Sequence, residues 1–430
     1  MILAAAAALF GVLTLARGDA GQQPPASTPP AASLGQAIEA SPAPPPQAVE
    51  LFDVFDLLRK IRHKEQTKEQ RAEANDPSRR MYAFAPVVGY KPSSGVLVGV
   101  AGNVAFFRGD PTTTHISSAV AALNVSTLEQ VSATAKLGVF MRDDRWKIEG
   151  DNRFQWTSQD TFGLGTDTVE AAKVNMKFDY FRVYETAFRT LRPGVFAGAG
   201  FHYSDHTDVR PGKDAEAAWD ASPYVAYSEE HGFPLASQTS AGASVNFLVD
   251  TRDNAINADR GWFGSASYRA FFEGFLGGDS TWQQLNLDLR TYRALSRDTR
   301  HKLAFWLYAD MVVGGTAPYM DLPATGMDTY GRSGRGYSEG RFRGERLLYG
   351  EIEYRGTLMR NGLLGMVAFL NTATFSNSQT GEQLFDAFAP AGGVGLRLLM
   401  NKRSRTNICV DFGWGKQGSS GLYLAVQEAF

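Results

Sequence analysis

Cysteine, long apolar runs and excess charge are all scarce in this chain of 430 residues. The single cysteine, Cys409, excludes an internal disulfide framework and argues against a cysteine metal site. Beyond the N-terminal segment no uninterrupted apolar run reaches about 18 residues, which excludes a helical membrane protein. A formal net charge of −2 argues against a nucleic-acid-binding protein.

Catalytic and metal-binding signals are also missing. No catalytic constellation is apparent, so the sequence predicts neither an enzyme nor a bound cofactor. His202 and His206 have a spacing of four with acidic neighbours, but we interpret them as polar surface residues rather than metal ligands.

The chain is rich in glycine and aromatic residues and shows a sustained alternation of polar and apolar residues. Its 44 Gly, 28 Phe, 16 Tyr and 7 Trp suit a transmembrane β-barrel, with glycine in turns and aromatics in the interfacial girdles. From residue 81 onward polar and apolar residues alternate, which predicts strands with one face of each kind. The polar face would be outside in a soluble sandwich and inside in a membrane barrel, so alternation alone leaves both open.

The lengths of the connections decide between these two architectures. The pattern predicts about sixteen strands, an even number as in bacterial barrels. Their spans are 81–91, 95–107, 114–127, 130–141, 145–157, 174–191, 195–206, 240–251, 260–274, 281–295, 301–314, 345–358, 363–376, 388–400, 405–416 and 420–430. The long connections, 158–173, 207–239 and 315–344, all follow odd-numbered strands, as outer loops do in outer-membrane barrels. We therefore predict an all-β fold, a 16-stranded antiparallel transmembrane β-barrel over residues 80–430 with a short N-terminal helix.

The N-terminal part divides into three segments. Residues 1–20 are predicted to be a signal peptide, although no Lys or Arg precedes the apolar run, which leaves a short membrane anchor as the alternative. Residues 21–48 form a Pro-rich disordered linker. Residues 49–75 have apolar side chains at helical spacing and predict an amphipathic periplasmic helix, which caps the barrel rim or, alternatively, plugs the barrel or docks a periplasmic partner.

A Gly/Arg-rich loop followed by an alternating strand occupies residues 331–355. Glycine lets the main chain approach closely, and each arginine brings a planar fork of donors that needs a carboxylate. The run Gly334-Arg335-Gly336-Tyr337, followed by Glu-Tyr-Arg at 353–355, resembles the signature of the BamA/TamA-type outer-membrane assembly barrels, the bacterial surface antigen family. Further stretches resemble that family in the same order, at 250–254, 393–397, 410–415 and 421–430.

The resemblance covers residues 80–430 and implies a function. It implies a barrel in the lipid bilayer of the outer membrane of a Gram-negative bacterium that assists protein insertion or export. Family members usually carry several periplasmic POTRA domains, and we expect a member that lacks them, which puts functions that need them in doubt. The alternatives are a passive pore or lipid and solute conduit, gated by the 315–344 loop, and a purely structural or adhesive barrel.

The resemblance also implies a site inside the barrel. Strand parity turns a set of charged side chains inward: Glu351, Glu353, Arg355, Arg397 and Asp411. In the family, the loop arginine that matches Arg335 pairs with the wall aspartate that matches Asp411, so we expect a bidentate pair with Glu353 as second acceptor. Asn371 stands where the family commonly has aspartate, which leaves the wall one acidic group poorer. The alternative is a set of ordinary lumen charges that meet water.

The seam between the first and last strands is the second candidate site. A barrel closes only if these two edges pair. Pro86 removes a hydrogen-bond donor from the first strand, Gly89 loosens its far end, and Phe430 ends the last strand. If the pairing is weak, the seam could open and offer an edge to an incoming strand.

Overall fold

The computed structural model describes residues 51–62, 79–91, 95–127, 129–212, 214–295 and 299–430, with only the main chain for 88–91 and 95. These residues form one antiparallel sheet of sixteen strands that follow each other in chain order. The strands are β1 (Met81–Lys91), β2 (Gly95–Phe106), β3 (Ser117–Ser126), β4 (Val131–Phe140), β5 (Trp146–Thr161), β6 (Val174–Arg192), β7 (Val195–Pro211), β8 (Gln238–Asp250), β9 (Gly261–Phe271), β10 (Trp282–Ala294), β11 (His301–Gly315), β12 (Arg346–Thr357), β13 (Leu364–Phe375), β14 (Ala389–Asn401), β15 (Thr406–Gly415) and β16 (Ser420–Val426).

The predicted 16-stranded antiparallel transmembrane β-barrel is confirmed, and each predicted strand is present. β5 and β7 run on to Thr161 and Pro211, past the ends that alternation predicted. The predicted last strand, 420–430, is wrong at its end because β16 stops at Val426. At Gln427 the main chain has a φ of 87°, a left-handed conformation that turns it out of the extended path.

Alternate side chains face opposite sides of the wall, which explains why this sequence forms a barrel. On β13, Leu370 is 67% exposed whereas the next residue, Asn371, is 6% exposed. The exposed apolar side chains form an outward belt that includes Phe84, Val100, Leu123, Trp156, Val245, Trp262, Leu307, Leu370, Leu396 and Leu422. The other face carries most of the buried charged residues, so lipid meets the apolar face and the polar face lines the lumen.

Two α-helices, α1 (Val54–Ile61) and α2 (Pro223–His231), accompany the strands within the described residues. α1 begins with a capping box, in which the side chains of Asp53 and Asp56 each accept a hydrogen bond from the other's main-chain N–H. No described helix is long and apolar enough to cross a membrane.

The predicted N-terminal segments are only partly visible. Of the predicted helix at 49–75, the structure shows the eight residues of α1, and residues 63–75 lie outside the described part of the chain. The predicted signal peptide and Pro-rich linker, residues 1–48, lie outside it as well. α2 was not predicted: it interrupts the long connection between β7 and β8, with Ser222 as its N-cap.

The lumen is largely filled. The connection between β11 and β12, residues 316–345, which we call the lumen loop, is mostly buried, and its Tyr319 and Met320 pack in one apolar cluster with Tyr224 of α2. Two ion pairs of Asp259 hold the connection between β8 and β9: one with Lys302 on β11 at 2.7 Å and one with Arg405 in the β14–β15 turn at 2.9 Å. A cavity of about 220 Å³ remains between them.

The barrel is not closed by a ladder. β1 and β16 lie beside each other, but no hydrogen-bonded pairing joins them in the part of the chain that the structure describes. Pro86 and Gly89 lie in β1 opposite β2. The two ends of the sheet are joined instead by an apolar group, the seam cluster, which consists of Ala83, Ala85, Ala101, Met400 and Val426.

α1 docks on this seam cluster. Val54 and Phe55 pack against it, and Lys402 in the β14–β15 turn donates from Nζ to Asp56 Oδ2 at 2.9 Å. Burial alone would raise the pKa of Asp56, but hydrogen bonds from Lys402, the main chain of Asp53 and Arg59 hold it below its ordinary value. The Asp56 carboxylate therefore stays charged at neutral pH and ties α1 to the end of the barrel.

We expect Val245→Arg to destabilise the barrel by about 2–4 kcal/mol, because it places a charge on the lipid face near the middle of β8. Val245→Met, which keeps the site apolar, is the matched control. Reversible urea unfolding in lipid vesicles measures both. Equal stability of the two variants would contradict a lipid-facing β8.

Candidate functional site

The lumen loop brings the Gly334-Arg335-Gly336-Tyr337 run against the inner wall. Gly334 and Gly336 have φ values of 81° and 111°, which side-chain-bearing residues rarely adopt. A Cβ on Gly336 would lie 2.8 Å from the Cβ of Ala391 on β14, so a larger residue could not approach the wall this closely. Tyr423 on β16 completes the contact, since its hydroxyl accepts from the Gly336 N–H at 2.9 Å and donates to the Tyr337 carbonyl at 2.8 Å.

Arg335, only 1% exposed, reaches three carboxylates from this loop. Its Nη1 donates to Asp411 Oδ2 at 2.7 Å, and its Nη2 donates to both Glu351 and Glu353. The guanidinium also lies 3.7 Å from the ring centre of Phe369, a cation–π contact.

The structure thus brings Arg335, Asp411 and Glu353 together, but the expected bidentate pair is wrong. One guanidinium nitrogen serves Asp411, and the other is divided between the two glutamates. Glu351 is the partner that the sequence did not reveal, because parity showed only that it faces inward. The three carboxylates compete for one guanidinium, and this sharing excludes a bidentate fork to any one of them.

Further arginines neutralise the same carboxylates. Arg355 Nε donates to Glu353 at 2.6 Å. Arg397 forms ion pairs with Asp411 and, at 2.7 Å, with Glu428. Arg335, Arg355 and Arg397 against Glu351, Glu353, Asp411 and Glu428 make three cations and four anions, so the buried network is one charge negative if every group is ionised.

Asn371 binds the main chain of the lumen loop rather than the charged group of Arg335. Its Nδ2 donates to the carbonyl oxygen of Arg335 at 2.9 Å, and it lies 3.5 Å from Glu351 Oε2. A carboxylate at this position could not donate to that carbonyl, so Asn371 suits this main-chain contact.

Other loop residues anchor the lumen loop without carboxylates. The Tyr337 hydroxyl donates to the Pro390 carbonyl at 2.6 Å and accepts from the Lys416 N–H at 2.9 Å. Arg343, 1% exposed, donates to the main-chain carbonyls of Tyr319 at 2.8 Å and Met320 at 3.2 Å. The glycine and arginine content of 331–344 could have pointed to this second anchor, but no sequence pattern indicates that most acceptors of Arg343 are main-chain carbonyls.

The last residues lie in the lumen rather than in the seam. After Gln427 the chain turns inward, and Glu428 pairs with Arg397. The Phe430 ring stacks on Trp306 at 5.2 Å between centroids, and its carbonyl accepts from Arg355 Nη2 at 2.9 Å. The prediction that Phe430 forms part of the seam is therefore wrong, because the left-handed turn redirects it.

Two other sequence features have structural explanations. His202 and His206 are buried, not on the surface as predicted, because both lie on the inward face of β7: His202 contacts Ser244 at 2.7 Å and His206 stacks on Tyr180. Among the described residues no group of three or more His, Cys, Asp or Glu side chains could hold a metal ion.

The run from Gly336 to Gly340 has the Gly-x-Ser-x-Gly spacing of a hydrolase nucleophile elbow. An elbow holds its serine between a strand and a helix. Here the run lies within the lumen loop, and its Ser338 is exposed. The spacing therefore has no hydrolase geometry behind it.

Comparison with solved structures shows which known barrels this architecture resembles. BamA from Haemophilus ducreyi lacking POTRA domains 1–3 is similar, with 13% sequence identity, coverage of 81% of this chain and 69% of that chain, and a TM-score of 0.51. The fold is a BamA-type barrel. CdiB from Acinetobacter baumannii and CdiB from Escherichia coli each match 81% of this chain at 10% identity, over 60% and 61% of their own lengths, with TM-scores of 0.49 and 0.47. No protein-family model and no curated protein matches the sequence.

In this BamA-type barrel we expect Arg335→Ala to release the lumen loop. The change leaves three buried carboxylates without their shared cation, at a cost of about 3–5 kcal/mol. Limited proteolysis followed by mass spectrometry should detect new cleavage within residues 316–345. Arg332→Ala is the matched control, because Arg332 lies on the same loop and forms no ion pair among the described contacts. Equal cleavage of the two variants would contradict the anchoring role of Arg335.

The two glutamates should differ in importance. Glu353 meets Arg335, Arg355 and, at 3.9 Å, Arg397, whereas Glu351 meets Arg335 and accepts from Tyr349. We therefore expect Glu353→Gln to lower the free energy of unfolding more than Glu351→Gln does. Urea unfolding in vesicles measures the free energy of unfolding of both variants. A larger loss in Glu351→Gln than in Glu353→Gln would show that Glu353 is not the more important acceptor.

Proposed function

We propose that this chain assists protein insertion or export at the outer membrane of a Gram-negative bacterium, and that it works at the seam between β1 and β16. The observation that carries the proposal is the missing ladder between these two strands within the described residues. The BamA-type fold supports it, since the H. ducreyi structure is a barrel of the same architecture.

An unpaired edge is chemically suited to receive a strand. β1 pairs with β2 along its whole length, from Met81 opposite Ala105 to Lys91 opposite Gly95. Its other edge presents N–H and C=O groups to β16 without a ladder. In lipid each unsatisfied main-chain group costs several kcal/mol, so an incoming β-strand that pairs with this edge would be bound by main-chain hydrogen bonds.

The filled lumen argues against the passive conduit. A conduit gated by the 315–344 loop would have to withdraw Arg335 from three carboxylates and Arg343 from its carbonyl acceptors. The seam needs no such cost, because the described contacts that join it are apolar side-chain contacts and one neutral hydrogen bond, from Thr406 to Asn103, and none of them is an ion pair. The seam is therefore the weaker of the two closures.

Delivery of a substrate to the seam also needs a partner or a segment of the chain. A periplasmic partner that docks on residues 49–75 stays a prediction. In the described part of that segment, Val54 and Phe55 already face the barrel, which leaves Leu58 and Ile61 for other contacts.

A disulfide across the seam tests the proposal. Cysteine pairs stepped along β1 and β16, in a Cys409→Ala background, would lock the seam under oxidation. We expect oxidised pairs to abolish the ability of the protein to restore outer-membrane barrel levels in a deletion strain, with recovery on reduction.

A second disulfide provides the matched control. Val245 and Tyr268 are opposite each other on β8 and β9, which are already paired, and both point outward. Locking this pair should leave activity unchanged. Activity that survives the seam lock, or that is lost equally with the control lock, would overturn the proposal, and solute flux unaffected by the seam lock would favour the conduit.

A further inference from the structure

The seam cluster joins two faces of the sheet that do not normally meet. On β1, Ala83 and Ala85 alternate with the exposed Tyr82 and Phe84, so they point to the inside of the barrel. Ala101 of β2 and the partly buried Ala122 of β3 belong to the same inner face and the same cluster.

The other side of the cluster comes from the outer face. Val426 on β16 has the parity of Leu422, and Ile408 on β15 has the parity of Val410; Leu422 and Val410 are exposed to the outside. Yet Val426 is buried and Ile408 is partly buried in the seam cluster. Met400 belongs to the same cluster and lies at the β-bulge between Leu399 and Asn401. At the end of the barrel that carries the β14–β15 turn, the inner face of β1–β3 therefore covers the outer face of β14–β16.

A polar contact supports this overlap. Thr406, at the start of β15, has the parity of the outward-facing Val410, but it is fully buried. Its hydroxyl donates to Asn103 Oδ1 at 3.4 Å, and Asn103 lies on the inner face of β2. The two ends of the sheet thus overlap here instead of meeting edge to edge.

α1 belongs to this overlap. Val54 and Phe55 pack on the seam cluster. The Phe52 N–H donates to the Asn361 carbonyl at 2.9 Å, and the Lys402 N–H donates to Asp53 Oδ2 at 3.1 Å. The N-terminal half of α1 is thereby fixed to two neighbouring turns and to both ends of the sheet.

The C-terminal half of α1 has an apolar stripe that packs against none of the described residues. Residues 54, 58 and 61 lie on one side of a helix. Val54 is packed, but Leu58 is 42% exposed and Ile61 is 64% exposed. Arg59, Lys60 and Arg62 flank this stripe with positive charge.

We propose that α1 is an interfacial helix that completes the lipid-facing wall at the seam. Leu58 and Ile61 insert into the boundary between acyl chains and headgroups, and the neighbouring cations contact anionic lipid headgroups. Lipid is the partner that the position favours, because the seam cluster is continuous with the outward belt on β14–β16, where Leu396 and Leu422 are exposed. The proposal depends on the barrel spanning a membrane and not on any role of the seam in insertion.

An environment-sensitive probe tests this. Ile61→Cys and, as matched control, Lys60→Cys are made in a Cys409→Ala background and labelled with the fluorophore NBD. The whole protein is reconstituted in vesicles of phosphatidylethanolamine and phosphatidylglycerol. We expect blue-shifted emission from the Ile61 probe and several-fold stronger quenching by lipids with a spin label near the headgroup. The Lys60 probe should emit as in water.

Two results would overturn the proposal. Equal quenching of both probes would show that the stripe does not face lipid. A blue shift at Ile61 without quenching would show that protein, a second copy or another segment, covers it. Phe55→Ser adds a test of position: undocking α1 from the seam cluster should reduce quenching at Ile61, while Leu51→Ser, an exposed apolar position before the helix, should reduce it less. Resistance of each variant to unfolding by detergent at room temperature confirms that the barrel is intact.

Discussion

The burial of one guanidinium group inside the barrel governs the arrangement of the lumen. A cation removed from water is very costly unless carboxylates surround it at hydrogen-bonding distance. Arg335 meets this requirement with acceptors from β12 and β15, so the loop that carries it joins two strands of the wall that are not neighbours. Glycines on either side let the main chain come close enough, and Asn371 fixes the carbonyl of the same residue. Loop position and wall charge therefore depend on each other.

The fold could be predicted from the sequence because barrel strands impose a strict period of two. Strand parity correctly predicted that Glu353, Arg397 and Asp411 face inward, because a side chain on a strand can point to only two sides. Parity does not give distance, which is why Glu351 was not recognised as a partner of Arg335. Phe430 was misplaced for a different reason: a left-handed turn at one non-glycine residue cannot be inferred from alternation.

The two closures of this barrel differ in kind. The lumen is closed by charged groups with short, directional contacts, and removal of Arg335 leaves Glu351 buried without a cation among the described ion pairs. The seam is closed by small apolar side chains and a docked helix. Apolar contacts of alanine are individually weak and non-directional, so the ends of the sheet can slide or separate without leaving a buried charge behind. Motion of the wall is therefore expected at the seam before it is expected in the lumen.

The lipid bilayer makes the difference between the seam and the lumen important for the strand edges at the seam. A soluble protein can leave an edge strand to water, but in a bilayer the main-chain groups of β1 and β16 have no other hydrogen-bonding partner. Overlap of the two ends buries part of this edge near the β14–β15 turn, where Thr406 meets Asn103 and α1 covers the gap. Main-chain groups of this edge that the overlap leaves uncovered keep their tendency to pair with an added strand.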